Sequence, residues 1–114
     1  GMIAQHGIPL VAFGVMGGQM QPQGHLQFAC NLIDFDMNVQ SALEAPRFRV
    51  GDGLGVSVEG SIPVRVQAEL ARKGHQLTSS STFFGGGQAI FIHPEYLTLI
   101  AASDPRRDGC AVGY

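Results

Sequence analysis

The chain has 114 residues, 45% of them hydrophobic and only 14% charged, with a formal net charge of −2. That length suits a single domain over 1–114 burying roughly two-thirds of its unfolded surface, and the sparse charge leaves apolar surface for a partner chain. The slight acidity and the lack of a basic cluster argue against nucleic acid as a partner, and no apolar run approaches the ~20 residues of a membrane span.

Gly1 ahead of Met2 reads as the remnant of a cleaved tag and is set aside. Ile8 to Val15 reads as a short apolar strand that Gly17-Gly18 ends. The run GHLQFACNLIDF after Pro22 predicts a helix beginning near Gln23, apolar on nearly every face and so suited to burial between layers. Asn38 is placed to cap a short helix holding Ser41 and Glu44, which Pro46 terminates. GDGLG is a loop, and Val56-Ser57-Val58-Glu59 alternates as a strand does. Ser61 is expected to cap a helix with Pro63 in its first turn and Gly74 at its end. Val66, Leu70 and Ala71 mark the buried stripe of that helix. Gln76 to Ser79 predicts a strand and SSSTFFGGG a flexible loop. Gln88 to His93 and Tyr96 to Ala102 then pair as a hairpin turning at His93-Pro94-Glu95. No internal repeat is present, and the alternation of elements predicts a layered α+β or α/β unit.

Few of the polar residues converge on a chemistry. The four histidines (6, 25, 75 and 93) include no pair at ligand spacing, so no metal site and no cofactor is expected. His25 and His75 fall near helix ends, in solvated or capping roles. Asp34 and Asp36 flank a helix end without the second carboxylate a glycosidase needs. Cys30 and Cys110 read as buried free thiols. Gly85-Gly86-Gly87 precedes a strand, where no helix N-terminus would receive a phosphate, and is read as a mobile connector. Ser79 to Thr82 have no partner base and read as loop residues. Gly17-Gly18 differs in context. It joins a strand to a helix, where unobstructed N–H groups can face a developing oxyanion or simply turn the chain.

Four segments in order carry a resemblance: VMGGQMQPQGH, NLIDFDMNVQSALEAPRF, GGGQAIFI and IAASDPRRDGCAVGY. From Phe13 to Tyr114 the chain resembles the C-terminal part of the small subunit in the gamma-glutamyltranspeptidase family. The resemblance implies part of the αββα sandwich of the N-terminal-nucleophile hydrolases. It also implies a parent that cuts itself to free an N-terminal threonine. That threonine would attack a gamma-glutamyl amide such as glutathione, with its own α-amino group as base, and pass the acyl group to water or an amino acid. Gly17 and Gly18 match the family's Gly-Gly pair, whose main-chain N–H groups bind the oxyanion; a bulkier residue at Gly18 would block close approach.

The nucleophile and the substrate-gripping residues of the family lie upstream of the matched region, so this chain alone is expected to be inactive. Val15-Met16-Gly17-Gly18-Gln19 stands where typical members carry a Ser-Pro-Gly-Gly-Ser-like loop, which resembles a broader branch of the family. Ala45-Pro46-Arg47 and Ser103-Asp104-Pro105-Arg106 are expected to fix turns and ion pairs. The expected partners are the remainder of the parent protein, its gamma-glutamyl substrate and a second copy of the chain in a homo-oligomer. The alternative is a standalone, non-catalytic binding or assembly module, which applies if Met2 is the native start.

Overall fold

The computed structural model describes residues 1–80 and 83–113. Ser81 and Thr82 of the expected serine-rich loop, and Tyr114 of the terminal pair, lie outside them. The chain divides into two compact units, residues 1–45 with 85–114 and residues 46–84.

The larger unit is built on a sheet in the order β1-β2-β6-β7. Its strands are β1 (Met2–Gln5), β2 (Ile8–Met16), β6 (Gly86–Ile92) and β7 (Leu99–Ser103), all paired antiparallel. Residues directly opposite one another share a face. Val11, Ala89 and Ala102 lie on the covered face and are buried with Phe28 of α1 (Met20–Ile33) and Val39, Ala42 and Leu43 of α2 (Val39–Glu44). The expected hairpin is present, with its turn extended: His93 N–H donates to Thr98 O and Leu97 N–H to His93 O, so Tyr96 belongs to the turn.

Helix α1 begins at Met20, before the expected Gln23, and Pro22 sits in its first turn, where a missing N–H costs nothing. The expected all-round burial is corrected. Only Met20, Gly24 and Phe28 are buried, a stripe at spacing four, whereas Leu26 and Ile33 are both 66% exposed. Helix α2 starts as its sequence dictates, with Asn38 Oδ1 accepting from Ser41 N–H at 2.9 Å.

The smaller unit holds a sheet in the order β3-β4-β5. β3 (Phe48–Val50) and β4 (Gly55–Glu59) form an antiparallel hairpin around the GDGLG loop, and β5 (Gln76–Ser80) pairs parallel to β4 after the crossover helix α3 (Val64–Arg72). Val56, Val58 and Ile62 form its core, with Leu77 against them. Two expectations fail here. Ser61 does not cap α3; Pro63 occupies the cap position without a side-chain bond. The stripe of Val66, Leu70 and Ala71 is not buried, and α3 contains no buried residue.

The triple glycine is corrected as well. Gly86 and Gly87 are β6 residues and all three glycines are buried, so they are part of the sheet and not a connector. Likewise Ser79 and Ser80 lie in β5 rather than in a loop. Cys30 and Cys110 are free, as expected, but Cys30 is half-buried and Cys110 exposed.

Candidate active site

Strand β2 ends at Met16 and α1 starts at Met20, so three residues reverse the chain. Gly17 has φ +131° and Gly18 φ +57°. L side chains rarely adopt such values, and glycine tolerates them. Gly17 is closed in as well: a Cβ there would lie 2.9 Å from Gly85 Cα, while one at Gly18 would meet nothing within 4 Å. Gly17 O accepts from Met20 N–H and Gly18 O from Gln21 N–H, each at 3.0 Å, so the turn's carbonyls satisfy the first donors of α1.

This leaves the amide hydrogens. Among the described residues, no backbone carbonyl outside the strand ladders accepts from the N–H of Gly17 or Gly18. Both precede the N-terminus of a helix of 14 residues, whose dipole favours negative charge. The φ sign alternates from Gly18 to Gln19 (−63°), the pattern in which successive N–H groups share one concave side. A small, partly anionic oxygen is the chemistry this turn suits.

His25 is corrected from its expected place at a helix end. It lies in the second turn of α1, half-buried, and its Nε2 accepts from Val15 N–H at 2.9 Å. Burial, and then the positive charge of the chain's amino terminus, hold its pKa below 6.5. Starting α1 at Met20 puts His25 beside the Met20–Gly24–Phe28 stripe, facing β2; reading the helix start late hid this. An open cleft of about 500 Å³ adjoins the turn, lined by Gly14, Met16, Gln21, His25, Gln88 and Arg107 among others.

The motif around Asp104 braces the sheet behind the turn. The Asp104 carboxylate is buried, with Oδ2 accepting from Gly87 N–H at 2.9 Å and Oδ1 from Arg106 N–H at 2.9 Å. Arg106 Nη1 pairs with Asp104 Oδ1 at 3.0 Å and donates to Leu43 O at 2.9 Å, while Nη2 donates to Ala45 O at 2.9 Å. In the smaller unit, buried Arg47 donates through Nη1 to Phe84 O at 2.9 Å. The expected structural roles of these arginines stand. His6, His75 and His93 lie on separate elements or turns, and no group of three or more His, Cys, Asp or Glu gathers among the described residues.

A family model described as Gamma-glutamyltranspeptidase matches residues 1–114. The chain is 30% identical over 98% of its length to the glutathione hydrolase-like YwrD proenzyme of Bacillus subtilis, of which it covers 23%. It is 35% identical over 97% of its length to the acylase ACY 1 proenzyme of Pseudomonas sp. strain V22, of which it covers 20%. The solved cephalosporin acylase of Bacillus halodurans superposes on 99% of this chain with a TM-score of 0.96 and 40% identity, the match covering 22% of that structure. The chain thus spans about a fifth of each relative. The α+β fold is that of the N-terminal-nucleophile hydrolases, as the resemblance implied.

Proposed function

The chain belongs to the gamma-glutamyltranspeptidase family, and from that premise we propose that it is the C-terminal portion of an enzyme that transfers or hydrolyses gamma-glutamyl groups. Residues 1–114 form one portion of that enzyme's small subunit. In the complete protein a threonine at the new N-terminus, outside this chain, adds its hydroxyl oxygen to the gamma-carbonyl carbon. The threonine α-amino group takes the hydroxyl proton and returns it to the departing amine. The resulting acyl ester is opened by water or by the amino group of an acceptor. The contribution of this chain is electrostatic: Gly17 and Gly18 donate their N–H groups to the oxyanion of each tetrahedral intermediate. One such donor is worth ~10²–10³ in rate.

The observation that carries this reading is the pair of glycine N–H groups just before the N-terminus of α1, which among the described residues no backbone carbonyl outside the strand ladders engages. Gly1 has an amine but neither hydroxyl nor thiol, so it cannot replace that threonine. The test is release of p-nitroaniline from gamma-glutamyl p-nitroanilide. Turnover is expected from the full-length gene product and none from the isolated chain. Turnover by the isolated chain, or a full-length frame lacking a threonine-initiated small subunit, overturns the proposal.

A second reading is favoured by the 40% identity to a cephalosporin acylase and the 35% identity to an acylase proenzyme. On it the same oxyanion turn serves hydrolysis of another N-acyl amide. A full-length protein that cleaves the acyl amide of a cephalosporin and spares the gamma-glutamyl one would decide for it. The donor groups of this chain would be the same in both.

A further inference from the structure

We propose that His25 is a positioning residue for the Gly17-Gly18 turn, acting as a neutral hydrogen-bond acceptor for the Val15 N–H at the end of β2. The proposal rests on the oxyanion reading of that turn, but its physical core is independent of catalysis.

Along its outer edge β2 pairs with β1. β1 pairs with it as far as Met2 opposite Ala12, and Phe13 N–H then donates to Gly1 O at 3.0 Å. The next N–H on that edge belongs to Val15, because ladder donors on one edge recur every second residue. It meets His25 Nε2 at 2.9 Å, so the imidazole occupies the place of a strand carbonyl. Without this acceptor the N–H of a buried residue would lose its partner, at the cost such groups carry.

The contact is built from two sides. Gly24 lets α1 approach Val15 closely, since a Cβ at that position would lie 2.6 Å from Val15 Cγ1. The Phe13 ring stands nearly edge-on to the imidazole, with centroids 5.3 Å apart and planes at 77°. Val15 is therefore gripped through both backbone and side chain, two residues before Gly17. Its grip sets where β2 delivers the chain into the turn.

An imidazole nitrogen accepts only when it carries no proton, so this arrangement requires the neutral tautomer with hydrogen on Nδ1. Protonation would set an N–H against the Val15 N–H. The surroundings oppose that change. Burial opposes it first, Arg107 lines the same cleft, and the N-terminal end of α1 lies one turn away. Among the described residues no carboxylate lines the cleft to offset them. His25 thus couples the turn to acid: once protonated it releases Val15, and with it the end of β2.

The test is an NMR titration of the intact 114-residue chain, following the His25 ring with the amides of Val15, Gly17 and Gly18. The three amides are expected to shift with the His25 midpoint, below pH 6.5. The Val15 amide should lose about tenfold in protection as the ring protonates. In His25→Gln, whose amide oxygen can accept at every pH, the joint shift should vanish while Val15 stays protected. Amides that stay still while the wild-type ring titrates overturn the proposal, and so does the same joint shift in His25→Gln. The wild-type titration needs no variant to fold. Because no turnover is measured, the coupling stands or falls apart from the oxyanion reading, which the p-nitroaniline assay addresses.

Discussion

The two glycines of the turn are not equivalent, and a stability experiment should separate them. Gly17 combines φ +131° with a Cβ position 2.9 Å from Gly85 Cα, whereas Gly18 sits at φ +57° in open space. Gly18→Ala is expected to cost ~1 kcal/mol, the left-handed penalty alone. Gly17→Ala should cost ~2–3 kcal/mol, because strain and contact add. Urea midpoints measure both, and equal losses would contradict the described geometry. His25 gives the pH dependence its sign. Its folded pKa is lowered, first by burial and then by the amino terminus, so the unfolded chain binds more protons between the two values. Its contribution is fully present above pH 6.5 and is lost as pH falls through the folded value. The wild-type urea midpoint should fall between pH 7 and pH 5.5, and fall less in His25→Gln. The cysteines differ in reactivity. A hydrogen bond from the Cys30 thiol to Asp34 raises its pKa, and the residue is half-buried, whereas Cys110 is exposed. Iodoacetamide should therefore label Cys110 first, read by peptide mass mapping.

At the scale of elements, α2 is a short helix held from outside. Gln40 uses both ends of its amide on β7, donating to Ser103 O at 2.9 Å and accepting from Ser103 N–H at 3.2 Å. Arg106 satisfies the carbonyls of Leu43 and Ala45 at the other end, while its partner Asp104 is fully buried. Removing the guanidinium leaves a buried carboxylate without its cation, so Arg106→Ala should cost ~3 kcal/mol. Arg106→Lys should recover only part, since an ammonium cannot span two carbonyls and a carboxylate in one plane. By contrast, Arg72 and Glu69 pair with 76% and 64% of their side chains exposed, and Arg72→Ala should stay within ~0.5 kcal/mol. Denaturant midpoints rank the three variants. Their order also marks which features were legible in the sequence. Asn38 and Pro46 bound α2 by local chemistry, and the alternation of β4 and the β6–β7 hairpin is local too. β1 and β3 were missed because strands of four and three residues exist only through their partners. The His25–Val15 bond was missed for a related reason, since it joins a helix to a strand ten residues away. Gly17 and Gly18 were visible as a turn, but that their carbonyls receive the first donors of α1 depends on the helix starting at Met20.

The whole molecule presents an apolar face that its own helices do not cover. The covered face of the larger sheet carries Val11, Ala89 and Ala102; the alternate residues, Ala12, Met16, Ile90, Leu99 and Ala101, point the other way with Met2. Met2, Met16 and Leu99 are 59–64% exposed and Ile90 is 43% exposed. The segment Cys110 to Val112 joins this face in lining a shallow cavity, beside Ala12, Ile90 and Ala101. A contiguous apolar face of this kind tends to find a partner, and a chain spanning about a fifth of its relatives lacks whatever the rest of a parent protein would lay upon it. In isolation the available partner is a second copy. Light scattering at high concentration should therefore give at least twice the monomer mass. Ile90→Lys, which puts a charge in the middle of the face without touching the buried residues, should return the mass to that of one chain. A clean monomer in the wild type would mean that the face is tolerated in water. An assembly indifferent to Ile90→Lys would place the contact elsewhere, on the exposed Leu26 and Ile33 of α1. The same substitution in the full-length protein should impair folding if the remainder of the chain covers this face, so one variant read in two contexts distinguishes an incidental dimer from an unfinished core.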